Sequence, residues 1–253
     1  MRFAYLGSGS RGNAALIQAG RTLLLLDCGF SVAETERRLA RLGVTPADLA
    51  AIVVTHEHAD HLGGVARLAR KHRLPVWMTR GTHAAWLERD VPMPEFCCAH
   101  TAFALGDIEL APYPVPHDAR EPCQFVFSDG QRRIGVLSDA GHITPHIRAS
   151  LSGCDALLLE CNHDPAMLAD GPYPERLKAR VGGPLGHLSN AQAAALLGEI
   201  DVSRLQHLVA THISETNNRP GLVRAALAAA LNCDPGWIAV AEQEQGLDWR
   251  EVS

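Results

Sequence analysis

No stretch of this sequence approaches the roughly 18 consecutive apolar residues that a helix needs to cross a membrane. The first ten residues, Met1 to Ser10, lack the long apolar segment of a secretory signal. There is no basic excess either: 23 Lys and Arg stand against 28 Asp and Glu, a formal net charge of -5. That balance argues against a protein that holds nucleic acid on a broad basic surface. It leaves a nuclease open, because bound dications would bring positive charge to the place where a phosphate must sit. The seven cysteines are odd in number and include no CxxC pair; Cys97 and Cys98 are adjacent and the rest lie among apolar neighbours. This argues against a disulfide framework or a structural Cys-type zinc site, and predicts reduced, mostly buried thiols in the cytoplasm. With no linker, repeat or low-complexity tract, residues 1–253 read as one domain.

What is present is a core, at 47% hydrophobic and 20% charged residues, and one dense polar motif. His56, His58, Asp60 and His61 follow directly on the apolar, β-branched stretch Ala51-Ile-Val-Val-Thr55. Imidazoles at i and i+2 diverge by roughly 200° on a helix, but point the same way on an extended segment or its exit loop. His56 and His58 can therefore share one ion just past a strand. Asp60 and His61, a turn further on, face elsewhere and can hold a second.

Short strands are predicted at 3–6, 14–18 and 21–27, a helix at 31–42, and a buried strand at 48–55. A helix at 60–72 and a strand at 76–79 complete the first half. The second half repeats the style, with strands at 108–115, 123–127, 133–138 and 156–160. Helices follow at 190–200, opened by Ser189 or Asn190 as a cap, and at 221–231, before a final strand at 237–241. Two such halves predict a sandwich of two sheets flanked by helices. Polar residues stand at several strand ends: His117, Asp139, Glu160 and His212. Function gathers where loops leave a rigid scaffold, so these are the missing partners of the motif.

The whole set, in this order, resembles the metallo-β-lactamase superfamily. The resemblance implies an α/β, four-layer αββα sandwich and a dinuclear hydrolase. One ion is then held by His56, His58 and His117, the other by Asp60, His61 and His212, and Asp139 bridges both. Asp27 is no ligand but steadies the motif loop by hydrogen bonds, and Asp60 is counted as catalytic as well as ligating. Imidazole and carboxylate ligands suit zinc, manganese or iron and do not choose among them.

The superfamily hydrolyses β-lactams, thioesters, lactones and phosphodiesters, so the fold does not name the substrate. Pro116 to Phe125, Gly7 to Asn13, Glu160 to Asp164, Gly186 to Asn190 and Thr211 to Asn218 are similar to segments of the cytoplasmic phosphodiesterase branch. That branch contains ribonuclease Z and the small YycJ/WalJ-type proteins. The resemblance implies an exonuclease-like enzyme on DNA, in which a hydroxide bridging the metals attacks phosphorus. Glu160 and His187 then form a dyad that protonates the leaving oxygen. Ser8, Ser10 and Asn13 on the Gly/Ser loop, with Asn217 and Asn218, are expected to bind substrate. A small-molecule hydrolase for a thioester, lactone or cyclic phosphodiester remains open, as does a non-enzymatic regulatory binding protein. No partner beyond nucleic acid, and no membrane, is implied.

Overall fold

The computed structural model describes residues 1–86 and 94–253. Its first sheet is built from β1 (Arg2–Gly7), β2 (Ala14–Ala19), β3 (Thr22–Leu26), β4 (Ala51–Val53), β5 (Val76–Thr79) and β6 (Pro94–Cys97). The second takes β7 (Phe103–Leu105), β8 (Ile108–Pro114), β9 (Cys123–Ser128), β10 (Arg133–Leu137), β11 (Ala156–Glu160), β12 (His207–Thr211) and β13 (Ala239–Val240). The last strand, β14 (Leu247–Glu251), returns to the first sheet and pairs antiparallel with β1. The strand orders are β14-β1-β2-β3-β4-β5-β6 and β13-β12-β11-β10-β9-β8-β7.

Alternation along the strands splits the core into three layers. On β1, Phe3 and Tyr5 point between the sheets, where they join Leu24, Val53, Phe125, Phe127, Val136 and Leu158. Ala4 and Leu6 face the other way, onto α1 (Val32–Arg41), α2 (Ala59–Leu62) and α3 (Val65–His72), with Leu39, Leu62 and Leu68. The second sheet turns Leu137, Leu157, Leu159 and Leu208 outward onto Ile147, Leu196, Val223 and Leu227. Strands covered on both faces read as continuous apolar runs, as Leu23–Leu26 and Ala156–Leu159 do. The result is the four-layer αββα sandwich expected. Among the described residues no helix is long and apolar enough to cross a membrane.

Four local expectations change. The helix predicted at 60–72 is two pieces, broken at Gly63 and Gly64, because a Cβ on Gly64 would overlap the carbonyl of Phe30. The strand predicted at 48–55 shortens to β4, since Pro46–Asp48 closes as a 3₁₀ turn under a Thr45–Asp48 capping box. The strand predicted at 237–241 is only the two-residue β13, because Pro235–Trp237 winds into a 3₁₀ turn capped by Asp234. The true last strand, β14, escaped because it lies at a sheet edge with mostly exposed residues. The remaining helices are α4 (Arg80–Ala85), α5 (Pro145–Leu151), α6 (Pro165–Asp170), α7 (Glu175–Val181), α8 (Asn190–Leu197) and α9 (Pro220–Leu231); α4 to α7 were not foreseen, being short.

Candidate metal centre

All but one of the chemistry-bearing side chains sit at or just past the C-terminal end of a strand: Asp27 after β3, His56 to His61 after β4, His117 after β8, Asp139 after β10, Glu160 ending β11 and His212 after β12, while His187 lies on the loop between α7 and α8. Three of these, Asp27, Asp139 and His212, take left-handed backbone angles, with φ of 59°, 55° and 50°. Non-glycine residues rarely do so, and such strain gathers at functional sites.

Two ligand sets form. His56, His58 and His117 bring their ring nitrogens within 4.8 Å of one another, as do the donor atoms of Asp60, His61 and His212. In the first set His58 Nδ1 is 3.2 Å from His117 Nε2. In the second, Asp60 Oδ2 is 3.5 Å from His61 Nε2 and 3.4 Å from His212 Nε2. Asp139 reaches both, at 3.1 Å from His61 Nε2 and 3.9 Å from His117 Nε2.

The far side of each imidazole is tied down, as metal-ligating histidines require. Asp27 Oδ2 takes His61 Nδ1 at 2.8 Å, while Asp27 Oδ1 accepts the Thr55 N–H at 2.8 Å. His56 Nδ1 meets the Thr55 hydroxyl at 3.0 Å. His117 Nδ1 donates to the Gly186 carbonyl at 3.0 Å, and His58 Nε2 to that of Asp118 at 3.2 Å. Asp27 thus bonds both the His61 ring and the backbone at the foot of the motif loop. The Thr55, Gly186 and Asp118 contacts were not foreseen. Asp118 could have been noticed as the carboxylate next to His117; backbone carbonyls leave no mark in a sequence.

Loop packing completes the frame. Cys28 N–H bonds the His61 carbonyl at 2.6 Å and Asn13 N–H the Asp60 carbonyl at 2.7 Å. Gly29 must lack a side chain, since a Cβ would run into the Asp60 carbonyl. These contacts recast the expected substrate residues. Ser8 and Asn13 are buried: the Ser8 hydroxyl accepts the His212 N–H at 2.8 Å, and Asn13 Nδ2 lies 3.3 Å from Asp60 Oδ2. They hold ligands where substrate contact was expected, and on that loop Ser10 is exposed. Asn217 and Asn218 are also buried, and Asn218 Nδ2 donates to the Cys161 carbonyl and to Asn190 Oδ1, both at 2.8 Å. Asn218 thus ties its loop to the end of β11 and the start of α8, and with Ser8 it also lines an open cavity of about 380 Å³, while the buried Asn217 side-chain amide has no hydrogen-bond partner among the described residues.

The donor set fits divalent metal. Nε2 of His56 and of His212 is buried without a hydrogen-bond partner among the described residues, an arrangement that costs free energy unless something else takes the lone pair. Burial, then the neighbouring His61, holds His56 well below the ordinary histidine pKa, so it offers a neutral nitrogen. Burial opposes charge on His212, but Asp139, Asp60 and Glu160 outweigh it and push the pKa to about 10. Burial likewise opposes charge on Asp139, yet the imidazoles of His212 and His61 hold its carboxyl well below the usual range. The centre thus gathers ionised carboxylates among its imidazoles.

Beside it Glu160 and His187 pair. Glu160 Oε1 is 2.8 Å from His187 Nδ1, and the same oxygen is 3.2 Å from His212 Nδ1. Its partner oxygen accepts the N–H groups of Ala140 and Leu188, at 3.1 and 3.2 Å. Burial opposes a charge on His187, but Glu160 outweighs it and raises the pKa above the ordinary value.

Residues 22–213 match the beta-lactamase superfamily domain, and this chain belongs to that superfamily: it is a hydrolase of the metallo-β-lactamase fold. Within the superfamily it is similar to the exodeoxyribonuclease YycJ of Bacillus anthracis, with 32% identity over 235 residues covering 91% of this chain and 89% of that protein. It is also 32% identical to the exodeoxyribonuclease WalJ of Streptococcus pneumoniae over 223 residues, covering 86% and 83%. Among solved structures, the metallo-beta-lactamase fold protein YhfI from Bacillus subtilis superposes with a TM-score of 0.76 at 16% identity, over 99% of both chains. The likeness to YhfI concerns the fold alone.

Proposed function

We propose that the protein is a two-metal phosphodiesterase that hydrolyses nucleic acid, exonuclease-like and acting on DNA. The observation that carries this reading is the Glu160–His187 pair at 2.8 Å, set beside the ligand sets and tied to one of them through His212. A phosphodiester needs a proton delivered to its departing alkoxide, and a histidine backed by a carboxylate can deliver it. Similarity to enzymes named exodeoxyribonuclease favours DNA. Two divalent ions, zinc, manganese or iron, would be held by His56, His58 and His117 and by Asp60, His61 and His212, with Asp139 between. Bound there, they supply positive charge against the charge that builds on a phosphate attacked by water.

The chain's own groups do the rest. Glu160 keeps a proton on His187 Nδ1 and leaves Nε2 to protonate the leaving oxygen. Asp60 takes part both as a ligand and as a carboxylate near the attacking water. Ligands from both sheets support one hydrolase domain over residues 1–253, and the seven unpaired cysteines support a reducing, cytoplasmic setting.

A nuclease panel tests the proposal: 5′- and 3′-labelled single- and double-stranded DNA and RNA with Mn, Zn and Mg, beside a thioester, a lactone and a cyclic nucleotide. Stepwise release of nucleotides from DNA is expected. Metal-loaded protein that leaves every nucleic acid intact and turns over one of the small esters would replace this reading with that of a small-molecule hydrolase.

A further inference from the structure

Next to the His58–His117 edge of the centre lies an open groove of about 500 Å³, lined by Pro174, Arg176, Leu177 and Arg180 of α7 and the turn before it. Arg180 is 59% exposed, yet its position is fixed: Nε donates to Asp118 Oδ2 at 2.7 Å. The other oxygen of that carboxylate is 3.5 Å from His117 Nε2. The same stretch is pinned to the centre by the backbone, with Asp118 N–H bonding the Leu185 carbonyl at 3.1 Å and His117 bonding that of Gly186. Two residues after Leu185 the chain reaches His187. The groove is therefore joined to the centre through Asp118 and the 185–187 stretch that leads to His187.

A guanidinium has five N–H donors in a planar fork that matches a phosphate. Asp118 engages only Nε, so it orients the fork and leaves the two Nη groups to a ligand. Arg176, one helical turn back and exposed, makes no hydrogen bond or ion pair with any described residue. Lys178, by contrast, is spent on the Ala169 carbonyl and Glu175. In a protein of net charge -5, two arginines with unspent donors along one groove beside a hydrolytic centre mark a place for anions.

We propose that Arg180, with Arg176 behind it, grips the phosphates of the strand on the leaving-group side of the scissile bond, so that the α7 groove sets the preference for a polynucleotide over a small diester. This rests on the phosphodiesterase reading above.

The experiment compares wild type, Arg180→Gln, Arg180→Lys and Asp118→Asn on two substrates. One is a DNA oligonucleotide; the other is thymidine 5′-monophosphate p-nitrophenyl ester, whose leaving group carries no phosphate. Arg180→Gln should lower kcat/KM on the oligonucleotide by about 10-fold or more, mainly through KM, and by at least tenfold less on the ester. Affinity for a phosphorothioate oligonucleotide, read by fluorescence anisotropy, should fall, with the slope of log affinity against log salt reduced by about one. Arg180→Lys should recover part of it, and Asp118→Asn should cost less than Arg180→Gln. Equal losses on the two substrates, or an Asp118→Asn profile matching Arg180→Gln, would show that Arg180 acts only by holding the centre together and would overturn the proposal. So would an oligonucleotide rate and affinity unchanged by Arg180→Gln. If wild type cleaves no nucleic acid, the underlying reading fails before any variant is compared.

Discussion

Glu160 Oε1 lies 2.8 Å from His187 Nδ1 and 3.2 Å from His212 Nδ1, so one buried carboxylate oxygen bonds both histidines. Its other oxygen is fixed by two backbone N–H groups, which leaves little freedom to swing from one histidine to the other. The two partners can be separated by substitution, because only one of them is proposed to touch the reacting bond.

His187→Ala should remove proton delivery and keep the ligands. The expected loss is about 10²- to 10⁴-fold in kcat on a DNA oligonucleotide, and much less on a p-nitrophenyl phosphodiester, whose leaving group needs no proton. Glu160→Gln should lower both rates, since it loosens His212 too, and should reduce bound metal as measured by elemental analysis. Equal losses on both substrates for His187→Ala would remove the general-acid role.

Asp27 meets no ligand-accessible surface, yet its replacement should be felt at the metal. It fixes the His61 ring through Nδ1 and anchors the Thr55 N–H at the base of the motif loop. Outer partners of this kind are worth about 10- to 100-fold in metal affinity. Asp27→Asn, which keeps one acceptor for Thr55, should show that weakening in competition with a chromophoric chelator. An unchanged affinity would mean that packing alone orients His61.

Metal removal should cost stability as well as activity. Asp60, Asp139 and Glu160 crowd one small volume, and the buried His56 Nε2 has no hydrogen-bond partner among the described residues. An ion held at 100 times its dissociation constant stabilises the folded state by about 2.7 kcal/mol. Chelated protein should therefore melt several degrees lower and recover on adding Zn or Mn. Two ions per chain are expected in wild type and one in His56→Ala.

Much of this centre was legible because its chemistry is local. Four residues able to hold a metal fall within six positions after an apolar stretch, and the partners at 117, 139 and 212 each follow a readable strand. The sandwich was legible for a similar reason, since strands covered on both faces leave unbroken apolar runs. What stayed hidden depends on backbone meeting backbone. Gly63 and Gly64 split a helix whose side-chain pattern runs straight through, because the Phe30 carbonyl needs that space. Ser8 and Asn13 look like loop residues offered to a substrate, but the fold turns them inward onto His212 and Asp60. Strand β14 lies at an edge and offers only Leu247 and Trp249, both partly buried, between charged residues, too short a pattern to read.

Arg38 on α1 is buried, and its Nη1 donates to the carbonyls of Leu6 and Gln243, both at 2.8 Å, joining the end of β1 to the approach to β14. Glu34 pairs with Arg38 Nε at 2.5 Å and also with Arg37. Hydrogen bonds from Arg37, then Arg38, hold the Glu34 carboxyl down at about 2. A carboxyl whose folded pKa lies below its unfolded value of about 4.3 gives stability that is fully present above the unfolded value and is lost as pH falls toward the folded one. Glu34→Gln should therefore melt below wild type at pH 7, by about 1 kcal/mol for a pair partly open to solvent. The gap should narrow from pH 5 to pH 2. Arg38→Met should cost about 1 to 3 kcal/mol at pH 7, because it leaves the Leu6 and Gln243 carbonyls without their buried donor, while Glu34 keeps Arg37. Thermal melts of the three proteins across that pH range decide it: a Glu34→Gln gap that stays constant down to pH 2 would mean that its charge does not contribute.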